Sequence, residues 1–256
     1  MEYGMYFPQQ GGQSQAYGYR VKYPCYLERP YVFGTQLPAG YLQSDIFCRQ
    51  SKEDPNSTYD EDNLVHCIGD IFIAGTDITS SVLQWALLLM ATHPDIQDKV
   101  YKEIETVLDP SHSICYGDRK NLPYINAVIH EIIRSKYVTL FGLPRKCVKD
   151  VYLNGFLIPK GAMILPDLRS VLLDPEQWET PEKFNPNHFL DKEGHFVTKE
   201  AFMPFGAGAR SCLGELFARI QVFIMFTSLL RAFRLQPPEG VEKLSEEPNA
   251  IEGEND

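Results

Sequence analysis

No stretch of about 18 uncharged apolar residues, the length that spans a bilayer, occurs in this chain of 256 residues. We therefore expect no membrane anchor and no secretory signal in it. Basic residues are fewer than acidic ones: the chain has 24 Lys and Arg and 34 Asp and Glu. The resulting net charge of −10 argues against nucleic acid as a partner. The six cysteines include no Cys-x-x-Cys pair, which fits a reducing compartment better than a disulfide framework.

The two ends of the chain differ in composition from its middle. Residues 1–47 hold eight of the 14 tyrosines, interleaved with Gly, Gln and Pro and without a helical or strand period. We expect this segment to be disordered or loosely attached. Residues 239–256 contain seven acids and one lysine, which predicts a solvated acidic tail. Residues 48–238 are therefore expected to form the folded domain, and they contain no internal repeat. The whole chain has 44% hydrophobic residues, an ordinary value for a globular protein.

The pattern of this domain predicts a mainly α fold with a small β region. Asn56 to Thr92 reads as one helix about 50 Å long, and apolar residues nearly encircle it, so we expect it to be central and buried. The Asn154-Gly155 pair predicts a hairpin between 151–153 and 156–158. The other predicted elements are helices at 94–109, 123–136 and 213–233, a third strand at 162–165 and an irregular stretch at 174–189.

The most specific stretch is 205–214, Phe-Gly-Ala-Gly-Ala-Arg-Ser-Cys-Leu-Gly. Its glycines let the backbone take positive φ and approach a flat ligand closely. Cys212 stands where a helix begins, and the free N–H groups and dipole of that end favour a thiolate over a thiol. Arg210 adds positive charge to the same turn. The pattern therefore indicates an anionic sulfur ligand for a metal, although a lone helix-start cysteine is more often a small core residue.

This spacing, Phe-x-x-Gly-x-Arg-x-Cys-x-Gly, resembles the haem-ligand signature of the cytochrome P-450 family, with every fixed position filled. The resemblance implies haem as cofactor and Cys212 as its thiolate ligand. It also implies contacts from Phe205 and Gly206 to the haem, and from Arg210 and Arg145 to its propionates.

Glu131 and Arg134 lie three residues apart on one predicted helix and can pair. The default interpretation is a solvated surface pair that contributes little. The Glu-x-x-Arg spacing, however, resembles the second fixed motif of the same family. Together with His188 in the irregular stretch, it implies a buried scaffold triad that supports the cysteine loop and takes no part in catalysis.

The segment from Ala74 to Thr79 on the long helix resembles the oxygen-binding groove of the family, which implies that Ala74 and Gly75 contact the haem. The resemblance implies that Asp77 relays protons and that the next hydroxyl passes them to oxygen. Here Ile78 stands where the family has a threonine, so either Thr79 with a water substitutes or oxygen activation is weakened. Family members that rearrange peroxides also lack this threonine. The alternative is a buried helix without chemistry.

From about Asn56 to Gln236 the chain resembles the carboxy-terminal half of a vertebrate microsomal family 2 member, so we expect a truncated fold of that kind. The implied function is a monooxygenase acting on lipophilic substrates with O2. Electrons would come from NADPH through a flavoprotein reductase, at the cytoplasmic face of the endoplasmic reticulum membrane. Two alternatives stay open: a non-catalytic fragment that binds haem poorly, and an oxygen-independent haem-thiolate isomerase, which Ile78 favours.

Overall fold

The computed structural model describes residues 61–136, 141–238, 240–241 and 244–246. The predictions for residues 1–47, the helix start near Asn56 and most of the acidic tail lie outside these ranges. Within the tail, Lys136 Nζ donates a hydrogen bond to the carbonyl of Glu246 at 3.0 Å, so this point of the tail contacts the domain.

Helix α1 spans Glu61–Thr92 and ends before Pro94, where the sequence predicted its end. The expectation of a helix buried along its whole length is wrong. Its carboxy-terminal half is buried against the other helices, but Ile71, Phe72 and Ile73 are 49–70% exposed. Periodicity reveals that a helix is apolar on all sides, but not whether every side has a partner in the chain.

Three further helices complete the main core: α2 (Pro94–Val107), α3 (Pro123–Ser135) and, after an intervening β region, the helix Glu215–Ala232. Both α2 and α3 begin with proline, whose fixed φ suits the first helical turn. The Glu103 carboxylate of α2 accepts the backbone N–H groups of Tyr124 and Ile125 at 2.9 and 2.8 Å, and so caps α3. Buried apolar side chains join these helices into one core: Trp85, Leu89, Val100, Ile125, Val128, Phe223 and Phe226.

Within the described residues, four short strands form two separate antiparallel pairs. Strand β2 (Val151–Leu153) pairs with β3 (Phe156–Ile158) through Asn154 and Gly155, both at positive φ (49° and 84°), as the sequence predicted. The predicted third strand is shorter than expected, because β4 is Met163–Ile164. It pairs with β1 (Arg145–Lys146) instead of extending the hairpin.

Short elements link this region to the last helix. A brief helix α4 (Leu168–Leu172) precedes the irregular stretch, which ends in a 3₁₀ turn at Pro186–Phe189. Another 3₁₀ turn, Tyr116–Lys120, lies between α2 and α3. A second buried cluster packs under the irregular stretch and consists of Ala127, Trp178, Phe189 and Ala201. The last helix, Glu215–Ala232, is α5, and the mainly α fold with a small β region is confirmed.

Within α1, the part Val65–Thr92 is long and apolar enough to cross a membrane by length and composition. Asp70 and Asp77 interrupt this stretch, so it contains no uninterrupted apolar run of bilayer length. One such helix is weak evidence for a membrane span, since core helices pass the same test.

Candidate functional site

The cysteine loop, residues 205–214, turns sharply and presents its thiol outward. Gly206 and Gly208 have φ of 71° and 75°, a conformation that requires glycine. The Cys212 N–H donates to the Phe205 carbonyl at 2.9 Å and closes the loop. Cys212 is exposed and free, and it lies three residues before Glu215, the first residue of α5. The sulfur is therefore accessible at the amino-terminal end of an 18-residue helix.

Large apolar side chains follow Cys212 in the sequence and face solvent. Leu213 is 96% exposed, Leu216 63% and Phe217 58%. Soluble proteins seldom leave such a surface uncovered unless it binds something. A sulfur donor amid an apolar surface suits a flat apolar group that carries a metal, and the residues present therefore fit haem.

Of the two arginines predicted to contact the haem carboxylates, Arg210 belongs to the loop and Arg145 lies beside it. Arg145 Nη2 donates to the Arg210 carbonyl at 3.3 Å, which joins strand β1 to the loop. A β-carbon placed on Gly206 would lie 4.0 Å from the same Nη2. Arg210 itself is exposed and Arg145 is half-buried. The structure thus brings Arg145, Arg210, Gly206, Phe205 and Cys212 into one neighbourhood.

The residues of the predicted oxygen groove lie on α1 but differ in exposure. Ala74, Asp77 and Ile78 are exposed, whereas Thr79 is only 8% exposed. The helix continues through Gly75, and a β-carbon there would meet no atom within 4 Å. The hydroxyls of Ser80 and Ser81 donate to the Asp77 carbonyl at 2.9 and 3.0 Å, a type of bond that often bends helices.

Glu131 and Arg134 are both completely buried and form a bidentate ion pair. Arg134 Nε and Nη2 each donate to one carboxylate oxygen of Glu131 at 2.8 Å. The remaining N–H groups of Arg134 reach three carbonyls of the irregular region, on Leu172, Pro181 and Lys183, at 2.8, 2.8 and 3.1 Å. All five donors of the guanidinium are thereby used.

His188 completes this buried group from the other side. Its Nδ1 lies 3.2 Å from both carboxylate oxygens of Glu131. The Thr180 N–H donates to His188 Nε2 at 3.3 Å. Because a backbone N–H only donates, Nε2 is the acceptor and Nδ1 carries the proton that it donates to Glu131. The three residues hold α3 and the irregular stretch together.

Sequence reasoning missed a second polar group on the same helix. His130, directly before Glu131, lies with Nε2 2.7 Å from Nη1 of Arg219 on α5. Burial, and then the Arg219 charge, lower the pKa of His130 from 6.5 to about 4. Arg219 also pairs with Glu215 at 2.8 Å. The Glu215–Arg219 spacing was the available signal for this pair, but the contact to His130 depends on tertiary packing.

Comparison with known proteins agrees with this geometry. The family model for cytochrome P450 matches residues 41–252. The chain is 49% identical over 209 residues to cytochrome P450 2K6 of Danio rerio and 46% identical over 218 residues to cytochrome P450 2W1 of Homo sapiens. It is 46% identical over 191 residues to cytochrome P450 2D9 of Mus musculus.

These alignments cover 80%, 85% and 75% of this chain but only 41%, 44% and 38% of the three relatives, in the same order. The chain thus spans less than half the length of the curated relatives that it matches. Since the family match extends over more than half of the chain, the chain belongs to the cytochrome P450 family, and its relatives are of the family 2 type.

Proposed function

We propose that this chain carries the haem-thiolate site of a monooxygenase. The reaction inserts one atom of O2 into a lipophilic substrate of the xenobiotic or fatty acid type. NADPH supplies the electrons through a flavoprotein reductase, at the cytoplasmic face of the endoplasmic reticulum membrane. The observation that carries the proposal is the exposed Cys212 thiol before the start of α5, on a loop that contains Arg210 and contacts Arg145.

Haem, when bound, supplies the activation of oxygen at its iron. Cys212 would provide the anionic ligand, because the amino-terminal end of α5 favours negative charge. Arg145 and Arg210 would bind the two carboxylates through their guanidinium groups. Phe205 and Gly206 would shape the loop so that its backbone lies close beneath the ring system.

Asp77 and Thr79 on α1 would form the proton relay. Asp77 is exposed and Thr79, two residues further along, is buried, so a water would connect the carboxylate to the hydroxyl. Ile78, between them, has no group that donates or accepts one. Proton delivery would therefore run through Thr79 or through water.

The exposed apolar part of α1 favours a lipophilic substrate. Phe72 is 70% exposed, Ile73 49% and Ile78 40%, on the same stretch as Asp77. Ligand sites for organic molecules are lined mainly by such side chains, with a few polar groups among them.

The test is turnover by the full chain reconstituted with haem. A lipophilic probe such as lauric acid would be supplied with the reductase and NADPH, and oxidised product would be measured. Product should require all components and vanish in Cys212→Ser, whereas Cys147→Ser, which changes another free cysteine, should retain it. Equal product from the two variants would contradict the assignment of Cys212.

The isomerase alternative rests on Ile78 alone. It predicts conversion of an organic hydroperoxide without NADPH or reductase. Activity of that kind, together with no NADPH-dependent product, would replace the monooxygenase proposal.

A further inference from the structure

Arg219 on α5 touches three separate parts of the chain around the cysteine loop. Its Nη1 lies 2.7 Å from Nε2 of His130 on α3. Its Nε donates to Glu215 Oε1 at 2.9 Å, which fixes the side chain on its own helix. Its guanidinium carbon lies 4.9 Å from the centre of the Phe205 ring and 5.5 Å from that of Phe202. A guanidinium over an aromatic face at this distance is attractive.

The tautomer of His130 lets its ring accept a hydrogen bond from Arg219. Its Nδ1 lies 2.7 Å from the Asn126 carbonyl, and because a carbonyl only accepts, Nδ1 carries the proton. Nε2 is then the acceptor that faces the guanidinium. The ring is buried and packs on three aromatic rings, those of Phe189, Phe196 and Phe202.

Phe205 connects this arrangement to the cysteine. The Phe205 carbonyl accepts the Cys212 N–H at 2.9 Å, which is the bond that closes the loop. Fixing the Phe205 ring therefore fixes the backbone atom that holds Cys212. Arg219 acts on the cysteine through Phe205.

We propose that Arg219 is a positioning residue for Cys212: its guanidinium lies over the Phe205 ring and is itself held by His130 of α3. Helix α3 then supports the cysteine loop at two points. Glu131 and Arg134 hold the irregular stretch that leads to the loop, and His130 holds the loop itself through Arg219. The inference rests on the proposed function, in which Cys212 is the iron ligand.

The first test uses the full chain without haem and measures amide hydrogen exchange. In Arg219→Gln, exchange in 203–214 should be about ten-fold faster, since a charge-assisted hydrogen bond and a ring contact are both lost. Exchange in α2, over 94–107, should stay unchanged. The matched control is Arg231→Gln on the same helix, because Arg231 donates to the His112 carbonyl at 2.6 Å, outside the loop.

A second variant removes the acceptor of Arg219 on α3. His130→Phe keeps an aromatic ring and the Arg219 charge but removes the acceptor, and it should also accelerate exchange in 203–214. Arg219→Lys retains a donor for His130 but cannot lie flat over Phe205, so it should restore part of the protection. Unchanged exchange in the loop, or equal acceleration throughout the chain, would overturn the inference.

The third readout is the reduced, carbon monoxide-bound spectrum of the haem-reconstituted chain. Arg219→Gln and His130→Phe should convert part of the thiolate-type band into the band of a neutral-thiol or histidine ligand, and Arg231→Gln should not. A wild-type chain without any thiolate band would refute the proposed function, and the exchange result would still decide the role of Arg219. A full thiolate band in both loop variants would overturn the inference.

Discussion

Replacement of Arg134 by lysine tests how much the buried pair with Glu131 stabilises the fold. Lysine keeps the positive charge but has three donors in place of five and no planar fork. It cannot serve both carboxylate oxygens of Glu131 and the three carbonyls that Arg134 reaches. At least two buried acceptors lose their partners, and each unsatisfied group costs about 1–3 kcal/mol.

We therefore expect Arg134→Lys to lower the free energy of unfolding by about 2–6 kcal/mol, the cost of two such unsatisfied groups. This is a large part of the total stability of about 5–15 kcal/mol for a typical domain. Urea unfolding followed by tryptophan fluorescence is a direct assay, since the chain has two tryptophans and Trp178 lies 5.0 Å from the Arg134 guanidinium.

The matched control breaks an exposed ion pair. Asp98 and Arg234 lie 2.7 Å apart with side chains 69% and 51% exposed. Asp98→Asn should change the free energy of unfolding by less than about 1 kcal/mol. If Arg134→Lys changes the free energy of unfolding by no more than Asp98→Asn does, the hydrogen bonds of the buried pair do not stabilise the fold by the expected amount.

Three further predictions concern single residues. Cys212→Ala should abolish any thiolate-type spectrum of the haem-loaded chain, while Cys67→Ala or Cys147→Ala leaves it intact; equal effects of all three would contradict the ligand assignment. Ile78→Thr should raise the amount of product formed per NADPH consumed, and no change would mean that Thr79 or water already delivers the proton. The pKa of His130, lowered from 6.5 to about 4, means that the unfolded chain binds the proton more readily. Stability should therefore fall by about 3 kcal/mol as the pH drops from 6.5 to 4, and His130→Phe should remove this part of the pH dependence in urea unfolding.

The helices and the hairpin were predictable because their signals are local. Prolines mark the starts of α2 and α3, and the Asn154-Gly155 pair takes the positive φ values that its turn type requires. The order of elements follows from periodicity and from these breaks. The mainly α fold was thus accessible from the sequence.

The pairing of β4 with β1 and the exposure of α1 were not predictable in this way. Both depend on contacts between segments that are far apart in the chain. Composition predicts Ile71 and Phe72 to be core residues, although both face solvent. Two-residue strands and a five-residue helix carry too little pattern to be recognised.

The cysteine loop was found through its fixed spacing, whereas Arg219 was missed. Its partner His130 lies 89 positions away in the chain. The sequence around a histidine on an apolar helix face does not indicate which donor its ring nitrogen accepts from. Contacts between distant residues come from the packing of α3 against α5 rather than from any local motif.

The central claim is that Cys212 holds haem through a thiolate. The most direct measurement is the absorbance difference spectrum of the full chain, reconstituted with haem, reduced and exposed to carbon monoxide. Ligation by Cys212 should give the red-shifted band of a thiolate-bound iron. A band typical of a neutral-thiol or histidine ligand, or no uptake of haem, would contradict it.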